Sequence, residues 1–207
     1  KMLPDVLNLA ATEGIGLSNA AGIATGVLKG FGLSTAELPE IVDKLAAASI
    51  GSNASVVGLG EALRTAAPTA AGFGIEFDEL VATIGAMTDA GIPAASAGVA
   101  LSSAIAALAL PAGQGEEAIQ AMGLQVFDAT GKMLPLKDIL DQIKASADPA
   151  KNAMAIFGRT SGPDMLALIN QGTPAIADLE AKLGAAGGTA ERMGAVQMSG
   201  LNGALES

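Results

Sequence analysis

Apolar residues recur at helical spacing along almost the whole chain, and Gly and Pro cut them into short runs. Over the first thirty residues this predicts two helices, starting near Pro4 and Ser18 and separated by Gly14 and Gly16. Leu38, Ile41, Val42 and Leu45 follow at i, i+3, i+4 and i+7, which is one face of a helix. Ser34 and Glu37 precede them at capping-box spacing. A helix begun at that cap would lose a hydrogen bond at Pro39, which allows a later start at Leu38. Ser52 and Asn53 are candidate caps for the next helix, whose face carries Val56, Leu59 and Leu63 and which Pro68 is expected to end or kink.

The pattern is cleanest after the Gly72 to Gly74 turn, where Phe77, Leu80, Val81, Ile84 and Met87 form a stripe. Glu76, Asp78 and Glu79 lie near the start of that helix, where carboxylates offset the positive end of its dipole. Gly91 suits the left-handed residue that closes a helix and Pro93 the first turn of the next, so 77–110 reads as a helix hairpin. Its second arm, Pro93 to Leu110, puts Leu101, Ile105 and Leu108 on one side and small residues, among them Ala95, Ser102, Ala106 and Ala109, on the rest.

Beyond Pro111 a short acidic helix is predicted from Glu116 to Met122. The one strand-like signal follows. Gln125 to Phe127 and Lys132 to Leu134 flank Asp128-Ala129-Thr130-Gly131, a four-residue hairpin loop with Gly131 free to take a positive φ. Helices resume at Pro135 with Leu136, Ile139, Leu140 and Ile143, at Asp148-Pro149 as far as Gly158, from Pro163 to Gln171 and from Pro174 to Leu183. Gly187-Gly188 marks a hinge before a last helix carrying Met193, Val196 and Leu201. The predicted fold is all-α, with about nine or ten short helices and a minor β-hairpin near 125–134. Its parts are 1–112 with the helix hairpin 77–110, 113–186 with the β-hairpin, and 187–207 as the start of a continuing helix in a longer polypeptide.

Composition changes the picture in two ways. Half of the 207 residues are apolar, yet there are only five Phe and no Trp or Tyr, so the core has to be built from Ala and close backbones. There is also no His and no Cys, which removes the common Ser/His and Cys/His nucleophiles and leaves a metal only carboxylates to bind. The formal charge of −10 disfavours phosphate backbones, so sequence-specific nucleic-acid binding is not expected. No basic region followed by an apolar core and cleavage site stands at the start.

Several short patterns look like sites and read better as structure. Gly14-Ile-Gly16 and Gly58-Leu-Gly60 lack the third glycine and the preceding strand of a dinucleotide fingerprint, and read as helix-terminating glycines. Asp78/Glu79 and Glu116/Glu117 are sequence neighbours, which do not face one another on a helix, so both pairs read as solvated charge at helix starts. Asn53-Ala54-Ser55 matches a glycosylation acceptor but reads as a cap cluster. No catalytic, cofactor-binding or metal-ligating residue is expected, and no enzyme.

One stretch raises a membrane question, because the 26 residues from Ala90 to Gly115 carry no charge. The proline-bounded helix within it would be about 27 Å long, just short of a hydrocarbon core of about 30 Å. Eight of its 18 residues are Ala, a weak driver of insertion, and Gly98 with Ser102 and Ser103 favours close helix contact. The reading adopted is a buried helix; the alternative is a membrane-inserting hairpin.

Three blocks in order, LGEALRTAAPTAAGFGIEFDELVATIGAMTDAGIPAASAGVAL, FDATGKMLPLKDILDQI and IFGRTSGPDMLALINQG, resemble the core region of the phage tail tape measure protein family. The resemblance runs from about Leu3 to Leu205. It implies a structural segment of a long virion protein, placed in the tail tube lumen or at the tip and passing through the host cytoplasm during assembly. The implied roles are tail assembly, length determination and DNA delivery. The implied partners are tail tube and tail tip proteins, tail assembly chaperones and copies of itself, with contact to the host membrane during ejection. A membrane-inserting or pore-forming module acting at ejection is the alternative function. The family brings no catalytic motif to this region.

Overall fold

In the computed structural model, residues 3–196 are described, and they form helices and turns without named strands. The helices are α1 (Leu3–Glu13), α2 (Leu17–Phe31), α3 (Leu38–Gly51), α4 (Val56–Gly72), α5 (Phe77–Asp89), α6 (Ala94–Ala109), α7 (Gln114–Met122), α8 (Leu136–Lys144), α9 (Pro149–Gln171) and α10 (Pro174–Gly184). An eleventh, α11, occupies 189–196 and runs to the edge of the described region. The all-α class is as predicted, with eleven helices rather than nine or ten among the described residues. The apolar pattern at Leu201 and Leu205, and with it the far part of the continuing helix expected over 187–207, lies outside the described residues.

Residue pairings give the layout. Gly58 meets Ala94, Ala62 meets Gly98, and Thr69 meets Ser102, so α4 and α6 run in the same direction side by side. Ile23 meets Gly60 and Gly30 meets Ala67 in the same sense, which adds α2 to form a parallel row. Against this row lie α3 and α5, and α10 packs on those two, while α9 packs on α6, α7 and α8. One contiguous cluster of buried side chains runs from Val6 to Ala190. Alanines make up much of it, including Ala62, Ala66, Ala67 and Ala70 on α4 and Ala97, Ala100 and Ala104 on α6. Small side chains let helix axes approach closely, which compensates for the scarcity of aromatic rings.

Helix α5 is the centre of the molecule. Its stripe of Phe77, Leu80, Val81, Ile84 and Met87 is buried, but so is every residue from Leu80 to Thr88. The periodicity shows one apolar face, whereas α3, α4, α6, α9 and α10 surround the helix. Its two inward hydroxyls are satisfied locally, Thr83 donating to the Glu79 carbonyl and Thr88 to that of Gly85, both at 2.7 Å. Buried polar groups persist only with such partners.

Several boundaries differ from expectation for identifiable reasons. Helix α4 continues through Pro68 to Gly72, its last turns seated in the core through Ala66, Ala67 and Ala70. Its N-cap is Ser55, which accepts from the Gly58 N–H at 3.0 Å; Ser52, a candidate for that role, instead donates to the Ala48 carbonyl. At α3 only half of the capping box forms. The Glu37 carboxylate accepts from the Ser34 N–H at 2.7 Å, and the helix starts at Leu38 with Pro39 in its first turn, where a missing N–H costs nothing. Pro93 and Pro135 stand one position before α6 and α8, in extended backbone, rather than inside the first turn. Gly91 takes the left-handed conformation expected of it, φ 86°. Gly158 interrupts α9 with φ 70° and ψ −173°, a conformation that a side chain would strain, so 149–157 and 159–171 meet at a sharp break.

The β-hairpin expected near 125–134 is not formed as strands. Phe127 and Met133 make a single isolated antiparallel bridge, with the Leu134 N–H donating to the Val126 carbonyl at 2.8 Å. The loop is organised by the Asp128 carboxylate, which accepts from the backbone N–H groups of Thr130 and Lys132 and from the Thr130 hydroxyl. These bonds hold its carboxyl below the usual range, chiefly through Thr130. Two three-residue segments with no third strand have too little pairing to extend further.

Candidate functional site

The α4–α6 seam is a place where two helix backbones touch. A Cβ on Gly98 would lie 2.5 Å from the Ala62 carbonyl oxygen and 2.6 Å from its Cα, so the two backbones are in contact at that point. Thr69 and Ser102 hydroxyls close the far end at 2.9 Å. The small residues of 93–110 therefore serve a helix contact, but with α4; contact with α5 is less extensive than with α4 or α9. Gly58 and Gly60 do not terminate a helix. They sit in the first turns of α4, where Ala94 and Ile23 approach too closely for larger side chains.

No helix among the described residues is long and apolar enough by itself to cross a membrane. Helices α6 and α7 together reach the required length and composition, but they bend by 68° where they meet. The α6 side bearing Ala97, Leu101, Ala104, Ile105 and Leu108 is buried.

Carboxylates do the second structural task, capping remote helices. Glu13 at the end of α1 accepts from the first N–H of α4, Val56, at 2.7 Å. Asp43 on α3 accepts from Gly188 at 2.7 Å and Ala190 at 2.9 Å, the free N–H groups at the start of α11. Glu79 on α5 accepts from the Leu136 N–H at the start of α8. Each anion satisfies amides that have no partner within their own helix and lies at the positive end of its dipole. Asp89 adds a fourth clasp by accepting from the Asn53 N–H at 2.7 Å. Sequence reasoning missed all four. The partners stand 36 to 147 positions apart, and the only local sign was an acid inside or beside an apolar run.

The two carboxylate pairs behave differently. Glu116 and Glu117 are exposed in the first turn of α7. Asp78 and Glu79 are not simply solvated. Asp78 pairs with Lys44 at 2.8 Å, and Lys44 also meets Glu40 at 2.6 Å. Burial is the largest influence on Lys44 and lowers its pKa, but hydrogen bonds and charge from Asp78 and Glu40 outweigh it and leave the pKa raised. Glu79 is held above the usual carboxylate range by burial first, with the Leu136 N–H opposing and the Glu180 charge adding to the rise. Beside it, Lys137 pairs with Glu180 at 3.1 Å, which raises the lysine's pKa. No group of three acidic side chains among the described residues is arranged to hold a metal ion.

The Glu79 arrangement predicts opposite results for two substitutions. Native Glu79 binds its proton more tightly than the unfolded chain does, so its contribution to stability is full below the ordinary glutamate pKa and is lost as pH rises through the raised value. Glu79→Gln keeps an oxygen for Leu136 and removes the charge. In urea titrations it should be at least as stable as the parent at pH 7, with a flatter pH dependence above pH ~4.5. Glu79→Ala leaves the Leu136 N–H unmet and should cost about 1–2 kcal/mol. A glutamine variant as unstable as the alanine variant would show that the charge itself is needed.

Residues 1–158 match the family described as phage-related minor tail protein. A tape measure protein of Pneumococcus phage Dp-1 is 29% identical over 210 residues, an alignment that covers 99% of this chain and 18% of that protein. The chain thus spans less than a fifth of the length of that relative. No solved structure gives a significant match.

Proposed function

Because the chain belongs to the phage-related minor tail protein family, we propose that it is a non-catalytic structural segment of a tail tape measure protein, folded as a compact helical body rather than drawn out as a length gauge. The observation that supports this most is the discontinuity of its helices. As one continuous helix, 207 residues would measure roughly 310 Å, but the longest helix among the described residues has 23 residues, about 35 Å, and is itself broken at Gly158. A compact body of this size has a radius of gyration of about 17 Å. It belongs near one end of the tail, or it rearranges when loaded into the tube. Its partners in this reading are tube and tip proteins, assembly chaperones and further copies of the chain, and its part in DNA delivery is mechanical. An acidic body also does not adhere to DNA leaving the tube.

The test is tail length measured by electron microscopy in phage whose tape measure gene carries one or two in-frame copies of this segment. Duplication should lengthen tails by far less than the roughly 310 Å of a continuous helix. Deletion should block assembly or infection, with any surviving tails not shortened in proportion to the residues removed. Length strictly proportional to residue number in either arm would make the segment part of the ruler.

A further inference from the structure

The ends of α2 and α4 and the starts of α3 and α5 leave a cleft of about 420 Å³. Its floor is apolar: Phe31, Leu33, Ile41, Ile75 and Phe77. Phe31 and Phe77 meet edge to face, centroids 5.6 Å apart, so two of the five phenylalanines in the chain are committed to this spot. Its rim is acidic, made by Glu37, Glu40, Glu76 and Asp78. The single lysine in the lining, Lys44, is already engaged by Glu40 and Asp78, and Glu76 meets Lys132 at 3.5 Å, so Glu37 is the rim acid left for a partner's cation and the net charge of the lining stays negative.

A second cleft of about 470 Å³ continues around the start of α5 and shares Gly74, Glu76 and Asp78 with the first. It adds Glu79, Asp128 and Glu180 against Lys132 and Lys137. Together the two are lined by seven carboxylates and three lysines. This negative charge lies beside the half-buried side chains of Phe31 and Leu33, beneath which Ile41, Ile75 and Phe77 are buried.

We propose that this groove docks a basic amphipathic peptide segment of a protein partner. Apolar side chains of such a segment would enter the floor between Phe31, Leu33 and Ile75, in the manner of a helix laid into a groove. Its arginines would reach the rim, where a guanidinium pairs with carboxylates through two parallel bonds and stacks on an aromatic face. Nucleic acid is repelled by the same rim, and an acidic peptide would bring like charges together while desolvating them. The assignment holds whether or not the segment contributes to tail length.

The experiment is fluorescence anisotropy on the 207-residue chain with labelled peptides of about four helical turns. One carries leucines at i, i+3, i+4 and i+7 with arginines between them. Another has the same composition scrambled, and a third has glutamate in place of arginine. The patterned arginine peptide should bind and the other two should not. Glu37→Lys with Glu76→Lys should weaken binding roughly tenfold or more. Glu116→Lys with Glu117→Lys makes the same change in net charge on α7 and should leave affinity within about twofold at physiological salt. Both rim glutamates are exposed, so circular dichroism should show the fold retained. Methyl shifts in the unmodified chain give a readout independent of any variant and should centre on Leu33, Ile41 and Ile75. Absence of binding, equal binding of the scrambled peptide, equal loss in both lysine pairs, or shifts centred elsewhere would each overturn the assignment.

Discussion

Gly98→Val is expected to destabilise the protein by about 4 kcal/mol or more, near the upper end of what single substitutions do. The added carbons would fall on backbone atoms of Ala62, its carbonyl oxygen, Cα and carbonyl carbon, all within 2.9 Å of a Cβ at this site. A flexible side-chain tip could turn aside; a helix backbone cannot. Helix α4 is also held from its other side, by Ile23 against Gly60 and by Gly30 against Ala67, so it cannot retreat without spoiling the α2 contact. Gly98→Ala isolates the competing effects. Alanine gains about 1 kcal/mol of helix propensity, whereas overpacking a tight contact costs about 1–3 kcal/mol or more, so the net sign is a loss. Gly22→Ala on α2 has nothing within 4 Å of the new Cβ and should gain about 0.5–1 kcal/mol. Urea midpoints at unchanged slope would measure both. A Gly98→Ala variant as stable as the parent would mean that the seam is looser than the structure has it.

What could be read along the chain was whatever depends on near neighbours. The helices were legible because apolar spacing and Gly/Pro punctuation agree, as at Gly91 closing α5 and at Asp148-Pro149 opening α9, where the Asp148 carboxylate accepts from the Lys151 N–H. The helix partners were not. Five apolar residues of α5 suggested a one-sided helix, and only the presence of five packing helices makes Thr83, Gly85 and Thr88 interior positions too. Gly98 did announce a close contact, but not that α4 rather than α5 would supply it. A parallel neighbour two helices away leaves no mark on local periodicity. At Pro68, where local chemistry predicts an end or a kink, the helix does not end, and Ala66, Ala67 and Ala70 around it are buried.

One acidic pair differs from its reading for the same cause. Asp78/Glu79 read as solvated charge, whereas Glu79, like Glu13 and Asp43, caps a remote helix. Short helices create many unpaired N-terminal amides, four for each helix. A chain with 27 Gly and 9 Pro ends its helices often, and few of its loops carry the cap those amides need. Glu13, Asp43 and Glu79 supply it across tertiary contacts. Each such bond ties a helix start to a distant part of the core, so capping and tertiary cohesion become one interaction here.

Asp43→Ala should show this most directly, by releasing α11 while the rest of the fold persists. Two backbone N–H groups, those of Gly188 and Ala190, lose a charged acceptor, and hydrogen bonds to charged groups contribute about 1.5–3 kcal/mol each. Helix α11 has other holds on the body, since Ala190 is buried and Gly194 lies over Ala11 of α1. The expected result is a fall of roughly thirtyfold or more in hydrogen-exchange protection at 189–196, with protection in α5 nearly unchanged. Asp43→Asn retains one acceptor oxygen without the charge and should fall between the two. Because opening is local, the main melting transition should move less than the exchange data imply. If protection instead dropped equally in α5 and α11, the clasp would be part of the global unfolding unit, and α11 would have to be counted within the core rather than as a helix latched onto it.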